Sequence, residues 1–307
     1  MTWRVHLTNQ AIQYLHILAG QPAVLAVWTK QNRVHFYDME TGSLIDERLL
    51  PPAPNNPRKS DEWQEFAAKL TGPDIAYYLP MVRTRSADIH VTDDGKLRLY
   101  HLSDDRLLME IDDEEYEIKL VGGERLLTLD LDRALGTMAG LDENLRLHVY
   151  QQNIRVGAFD IGLQMDADLR PTVVVARGGA NIVATDGRRL VVVDTSGTVM
   201  RKQELHYYVG RMTASPNGSM IMTSDMEQGV IRAYKSDKLT LTHQRFAIDL
   251  VMAASQVQLF ADLPPIGTGV SALVAHARGE FAFAMSGVVC VSHIEHMDEV
   301  PRPKTLF

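Results

Sequence analysis

Cysteine is almost absent from this sequence: Cys290 is the only one in 307 residues. A single thiol excludes an internal disulfide, a cysteine-based zinc cage and an iron–sulfur cluster. It is compatible with a reducing compartment, so we expect a cytoplasmic protein. Long apolar runs are also missing, since no stretch approaches the roughly 18 residues of a membrane-spanning helix. The opening residues MTWRVHLTNQ contain no apolar core of a signal peptide.

The sequence also has no excess of basic residues. The chain has 31 Lys and Arg against 39 Asp and Glu, a formal net charge of -8, and no basic stripe. This disfavours nucleic acid as the main ligand, because binding to phosphates requires clustered positive charge. With 45% hydrophobic and 23% charged residues, the composition is that of an ordinary globular protein.

A repeated strand pattern is present instead. Each repeat contains an apolar or alternating segment followed by a polar turn: RVHFYDMETG (33–42), KLRLYHLSDD (96–105), NLRLHVYQQN (144–153), RRLVVVDTSG (188–197), VIRAYKSDKL (230–239) and VVCVSHIEHM (288–297). We align them as third strands of successive units, with these anchor positions: Tyr37, Tyr100, His148, Val193, Tyr234 and Ser292. Without insertions near 51–73 and 250–268, the repeat is about 40–45 residues, the length of a four-stranded propeller blade. A β-sandwich is the alternative, but it has no reason to repeat at this period.

Six units can be counted: 9–50, 74–118, 124–163, 170–206, 208–249 and 268–300. The sixth unit lacks a fourth strand, and residues 2–8 alternate as a strand would. We therefore predict an all-β fold: a single six-bladed propeller domain over 1–307, with four-stranded blades and closure by the N-terminal strand. Seven blades is the alternative.

Three segments resemble WD40-type repeats: SPNGSMIMTSDMEQGVIRAYKSD, DDGKLRLYHLSDDRLL and NRVHFYDMETGSLIDERLL. The repeats are degenerate, because Tyr37-Asp38 and Val193-Asp194 stand where the family often has Trp-Asp, and the opening Gly-His pair is absent. The resemblance implies a β-propeller, and the family's structural hydrogen-bond tetrad cannot be carried over.

The two insertions supply candidate partner-binding residues. In the first, Ser60 is a suitable N-cap, and Trp63, Phe66, Ala67 and Leu70 share one face of a predicted helix over 61–71. The second, LVMAASQVQLFADLPPIGTG, is more apolar than a solvated loop. The candidate residues are Trp63, Phe66, Leu259, Phe260 and Leu263. They either pack on the propeller or contact a partner, and a second copy of the chain is one such partner.

Catalytic and metal-binding motifs are not found. His293, Glu295 and His296 lack the spacing of a zinc motif, and the acidic run DDEEYE (112–117) lacks that of a calcium loop. No G-x-S-x-G motif is present, and Cys290 lies in an apolar strand typical of a buried, inert thiol. We expect no cofactor and no metal.

The sequence thus predicts a non-catalytic protein–protein interaction platform, a subunit of a cytoplasmic multiprotein assembly. The alternative is a propeller enzyme of hydrolase or lactonase type, with a divalent ion in the central channel. That alternative requires acidic and basic side chains to converge near the axis, and its candidates are Asp130, Asp132, His276 and Arg177.

Overall fold

The computed structural model describes the chain from residue 2 to residue 301, apart from several gaps. The gaps are 8–9, 19–22, 32, 50–88, 92–96, 104–105, 112–113, 120–125, 133–135, 153, 177–178, 216, 257–267 and 277–278. Between 89 and 119 the backbone strands alone are described. The predicted helix over 61–71 therefore lies outside the described residues.

Six antiparallel sheets are formed by the described residues, and each supplies one blade. The strands of blades 1 to 3 are Ile12–Leu18, Val24–Thr29, Arg33–Asp38 and Leu44–Leu49; Ile89–Val91, Leu97–Ser103, Arg106–Ile111 and Glu114–Lys119; and Leu126–Asp132, Thr137–Asp142, Leu147–Gln151 and Ile154–Phe159. The strands of blades 4 to 6 are Thr172–Ala176, Asn181–Thr185, Arg189–Asp194 and Val199–Glu204; Val209–Ala214, Met220–Asp225, Val230–Lys235 and Thr240–Phe246; and Ala272–Ala275, Glu280–Met285, Val288–His293 and Trp3–His6.

The first strands of the blades surround the centre. Those of blades 2 to 6 lie side by side in order, and that of blade 6 lies beside that of blade 1. This is the arrangement of a β-propeller.

Blade 6 is completed by the N-terminus, as predicted. Trp3–His6 pairs antiparallel with Val288–His293 as the fourth strand of that sheet, with Trp3 opposite Val291. The closure therefore joins the beginning of the chain to a strand near its end.

Blades 5 and 6 each gain a short fifth strand. Asp298–Glu299 adds antiparallel to the fourth strand of blade 5, and Ser255–Gln256 adds parallel to Trp3–His6 in blade 6. The sixth unit predicted over 268–300 therefore ends on the neighbouring blade.

A short helix, α1 (Ala247–Ala253), begins directly after blade 5. The sequence analysis placed residues 247–249 in unit five and predicted a loop from 250. The helix forms because residues with the spacing i, i+3, i+4 and i+7 can be buried on one face, and these are Ala247, Leu250, Val251 and Ala254. They pack between blades 5 and 6.

The anchor alignment is corrected at two blades. A register shift recurs where the third strand pairs with the fourth, and it marks the equivalent positions Tyr37, Tyr150, Val193 and Tyr234. The anchor of blade 3 is therefore Tyr150, two residues after the predicted His148. Tyr100 lies on the second strand of its sheet instead of the third. The alternation of apolar and polar residues has a period of two, so it does not distinguish two registers that differ by two residues, nor one strand of a blade from the next.

The core is divided among the spaces between blades. The third strand of blade 4, Arg189–Asp194, is buried from Leu190 to Val193, with Val191 and Val193 facing blade 3 and Leu190 and Val192 facing blade 5. Burial on both faces explains the uninterrupted apolar run LVVV. Each fully buried valine stabilises the fold by about 1.5–3 kcal/mol.

Candidate functional site

The predicted partner-binding residues are not placed by this structure. Trp63 and Phe66 fall in the gap at 50–88, and Leu259, Phe260 and Leu263 fall in the gap at 257–267. The described strands nevertheless define where these insertions begin, because each follows the fourth strand of a blade.

All fourth strands end on one face of the ring. In an antiparallel blade this face also carries the turns between second and third strands, and we call it the turn face. Two contacts illustrate it: the amide of Ala247, just after a fourth strand, donates to the carbonyl of Gly229 in such a turn (2.9 Å), and the amide of Leu205 donates to the carbonyl of Arg188 (2.8 Å).

A group of exposed and half-buried side chains lies on the turn face of blades 4 and 5. Arg188 pairs with Asp166 (3.0 Å) and stacks over Tyr208, with its guanidinium carbon 5.0 Å from the ring centroid. The Tyr208 carbonyl accepts a hydrogen bond from the amide of Met226 (2.8 Å). We call this the blade 4–5 band, and it consists of Met165, Asp166, Arg188, Tyr208, Met226 and Phe246.

The band is unusually apolar for an exposed surface. Met165 and Met226 are both 51% exposed and Phe246 is 49% exposed. Methionine, aromatic residues and arginine are the types enriched in protein interfaces. This composition suits contact with another protein.

The sequence indicates only part of this band. Four methionines lie close together along the chain, Met212, Met220, Met222 and Met226, but Met212 and Met222 are buried and Met226 alone contributes to the band. The pairing of Arg188 with Asp166 was not identified, since the two residues lie in separate segments that meet only in the folded chain. The sequence signal that could have identified Arg188 is the basic pair Arg188-Arg189, which directly follows the turn residues Asp186-Gly187.

Buried aspartates hold the turns beneath the band. Asp186 accepts hydrogen bonds from the amides of Arg188 and Arg189 (2.9 Å each) and of Gln164 (3.1 Å). Asp225 occupies the same position in blade 5 and pairs with Arg232 at 3.2 Å. Fixed turns present the exposed side chains in a defined geometry at low entropic cost.

A tyrosine network lies under the blade 5 side of the band. The Tyr207 hydroxyl is 2.8 Å from both Thr223 Oγ1 and the Tyr234 hydroxyl. The Arg232 guanidinium carbon lies 3.8 Å from the Tyr207 ring centroid. Burial raises the pKa of Tyr207 and of Tyr234 above the ordinary tyrosine value. Tyr207 is thus a packing residue, whereas Tyr208 belongs to the surface.

The channel candidates have structural contacts where they are described. Asp130 Oδ2 accepts a hydrogen bond from the amide of Val175 on the next blade (2.8 Å), and His276 Nδ1 lies 3.2 Å from Glu280. The side chains of Asp132 and Arg177 lie outside the described part of the chain. These candidates are not brought together by any described contact.

The histidine-rich segment forms a turn. His293 accepts a hydrogen bond from the amide of Glu295 (3.2 Å), and His296 Nδ1 lies 2.8 Å from Thr2 Oγ1. Over the residues whose side chains are described, no group of three or more His, Cys, Asp or Glu could hold a metal ion.

Cys290 is fully buried, as predicted, and burial raises the pKa of its thiol. Among the described helices, none is long and apolar enough to cross a membrane.

No family model matches this sequence, and no curated protein matches it. Solved structures do match. Chaetomium thermophilum Raptor has a TM-score of 0.53 at 10% identity, covering 96% of this chain and 24% of that one. U3-55K has a TM-score of 0.52 at 11% identity, covering 98% and 84%. The Myceliophteria thermophila Cps50 (Swd1) β-propeller domain has a TM-score of 0.49 at 12% identity, covering 94% and 98%. The fold and the sequence repeats together show that this chain is a β-propeller.

Proposed function

We propose that this protein is a non-catalytic interaction platform and that the blade 4–5 band is a docking surface for a protein partner. The observation that carries the proposal is the combination of exposed Met165, Met226 and Phe246 with the stacked Arg188–Tyr208 pair. Apolar side chains of this size contribute to binding because they leave water on association.

The two insertions extend the same proposal. The first follows the fourth strand of blade 1, which ends at Leu49 on the turn face. The second begins within α1, and its later part follows Ser255–Gln256, which runs parallel to the fourth strand of blade 6 and so towards the same face. We propose Trp63 and Phe66 of the first, and Leu259, Phe260 and Leu263 of the second, as further contact residues. A described apolar residue beside the first insertion and one within the second are exposed, with Leu49 at 71% and Met252 at 61%.

The cellular setting is part of the proposal. We propose one domain over 1–307 that acts as a subunit of a cytoplasmic assembly. The fold supports this, since a rigid propeller presents many loops to partners. The channel enzyme has less support, because the described candidate Asp130 is engaged between blades.

The test compares two surface variants in affinity purification from the native host with mass spectrometry. Met226→Asp with Phe246→Asp places charge in the band, while Ile154→Asp places it at a perimeter position that is 71% exposed. We expect the band variant to lose partners that wild type and the Ile154 variant retain, with equal melting temperatures. Unchanged partners in the band variant would remove the band from the proposal, and no partner for wild type would contradict the platform function.

A further inference from the structure

The outer edges of the described blades differ, because some are covered by an added strand and others are free. The outer edges of blades 5 and 6 are covered by the added strands Asp298–Glu299 and Ser255–Gln256. Among the described strands, the fourth strands of blades 1 to 4 have a free edge. A free edge presents unpaired backbone donors and acceptors, which another extended segment can pair with.

Among blades 1, 3 and 4, whose outer strands have described side chains, blade 4 has the most exposed edge and the one with two cations on neighbouring residues. In its fourth strand, Val199–Glu204, the first four residues are all exposed, with Val199 at 42% and Met200 at 61%. Arg201 and Lys202 follow them. In the corresponding strand of blade 1, Asp46 pairs with Arg48 at 2.6 Å, and that of blade 3 has Arg155 as its one cation.

The two cations lie on opposite sides of the edge. Lys202 is opposite Val191, which faces blade 3, and its Nζ donates to the carbonyl of Gly162 at 2.8 Å. Arg201 is opposite Val192, which faces blade 5. An added strand would therefore meet positive charge on both of its faces.

Alternate backbone amides along this strand point outward, away from the blade. The amide of Leu205 donates inward to the carbonyl of Arg188. Because inward and outward groups alternate along an antiparallel strand, the amides of Lys202 and Glu204 point outward. These are the donors that a fifth strand would use.

The chain itself shows how such an edge is completed in blade 5. There the added strand is acidic: Glu299 lies opposite His243 and Asp298 opposite Gln244. The neighbouring Arg245 donates to the carbonyl of His296 (2.7 Å). A short acidic segment paired with an outer strand is thus already part of this fold.

We propose that the outer edge of blade 4 binds an extended acidic segment of a partner protein, which adds as a fifth antiparallel strand beside Val199–Glu204. The carboxylates of this segment pair with Arg201 and Lys202, and its apolar residues cover Val199 and Met200. A second copy of the same edge is the alternative occupant, and self-association of the free protein would therefore overturn the proposal. The edge is distinct from the blade 4–5 band, so the two sites can be tested separately.

The probe is a synthetic peptide with two consecutive glutamates between pairs of valines, added to the full-length protein, because neighbouring residues of a strand face opposite sides. We expect hydrogen exchange at the amides of Lys202 and Glu204 to slow at least about tenfold at saturation, because paired amides exchange only after opening. Two N-methylated versions of the peptide provide the control for backbone pairing. Methylation in one alternating phase should abolish the protection, and methylation in the other should leave it.

Charge is tested with Arg201→Glu, and Lys238→Glu in an exposed turn of blade 5 is the matched control. We expect Arg201→Glu to weaken peptide binding at least about tenfold with the melting temperature unchanged, and Lys238→Glu to have no effect. The proposal is overturned by an absence of protection, by protection that ignores the methylation phase, or by equal effects of the two charge reversals. It is also overturned if the edge amides of the free protein are already protected by self-association, which sedimentation would detect.

Discussion

Trp3 donates a hydrogen bond from its indole Nε1 to the main-chain carbonyl of Met39 at 2.9 Å. Trp3 lies in the fourth strand of blade 6, and Met39 directly follows the third strand of blade 1. The Trp3 ring also lies 5.7 Å from that of Tyr37, and its side chain is 1% exposed. Trp3 therefore belongs to the fourth strand of blade 6 and also packs against blade 1, so it connects the last blade to the first.

The first prediction concerns this joint. Trp3→Ala removes a buried aromatic ring from the cluster between blades 6 and 1, and it should lower the free energy of unfolding by about 3–5 kcal/mol. Trp3→Phe retains a ring and loses the hydrogen bond to Met39, so it should cost less than Trp3→Ala. Chemical denaturation measures both values. Equal stability of Trp3→Ala and wild type would show that the N-terminal strand does not close the ring.

The second prediction concerns the buried aspartate of blade 5. Asp225 is 2% exposed and pairs with Arg232, so Asp225→Ala leaves a largely buried, uncompensated guanidinium and should cost about 3–5 kcal/mol. Asp194 forms similar turn hydrogen bonds at the opposite end of blade 4, but it is accessible to water. Asp194→Ala should therefore cost only about 1 kcal/mol. Thermal unfolding of the two variants compares them, and equal losses would contradict the role of burial.

The third prediction contrasts two buried tyrosines at equivalent positions. Within the described residues the Tyr150 hydroxyl has no hydrogen-bond partner, whereas that of Tyr234 bonds to Tyr207. Tyr150→Phe should be neutral or stabilising, and Tyr234→Phe should cost about 1–2 kcal/mol. Denaturation curves decide this, and the reverse order would contradict it.

The fourth prediction is a loss of stability in alkali. Burial raises the pKa of Tyr150 to about 12, above its ordinary value of about 10. The folded state therefore retains a proton that the unfolded state releases, so this contribution is complete below about pH 10 and is lost as pH rises towards 12. Tyr150→Phe should show a shallower decline in the free energy of unfolding over that interval. Identical pH profiles of the variant and wild type would contradict the shift.

Asp-Gly and Asn-Gly pairs are local signals of a turn between strands, because both residue types tolerate positive φ. Asp186-Gly187 and Asn217-Gly218 both lie between strands, and both glycines have positive φ (97° and 62°). Glycine adopts this conformation without the penalty that other residues have, so such turns can be recognised in the sequence. Asp94-Gly95 lies outside the described residues.

The sequence by itself determined the all-β fold, its construction from repeated four-stranded units and the role of Trp3–His6 as the closing strand. Strand periodicity, turn residues and repeat length are local properties, so they can be recognised without the fold. The tertiary structure alone decided that Tyr150 aligns with Tyr37, because a register shift depends on the partner strand. It also decided which blades receive a fifth strand and that Asp166, Arg188 and Tyr208 meet, since these contacts join residues from separate segments whose approach is set by packing.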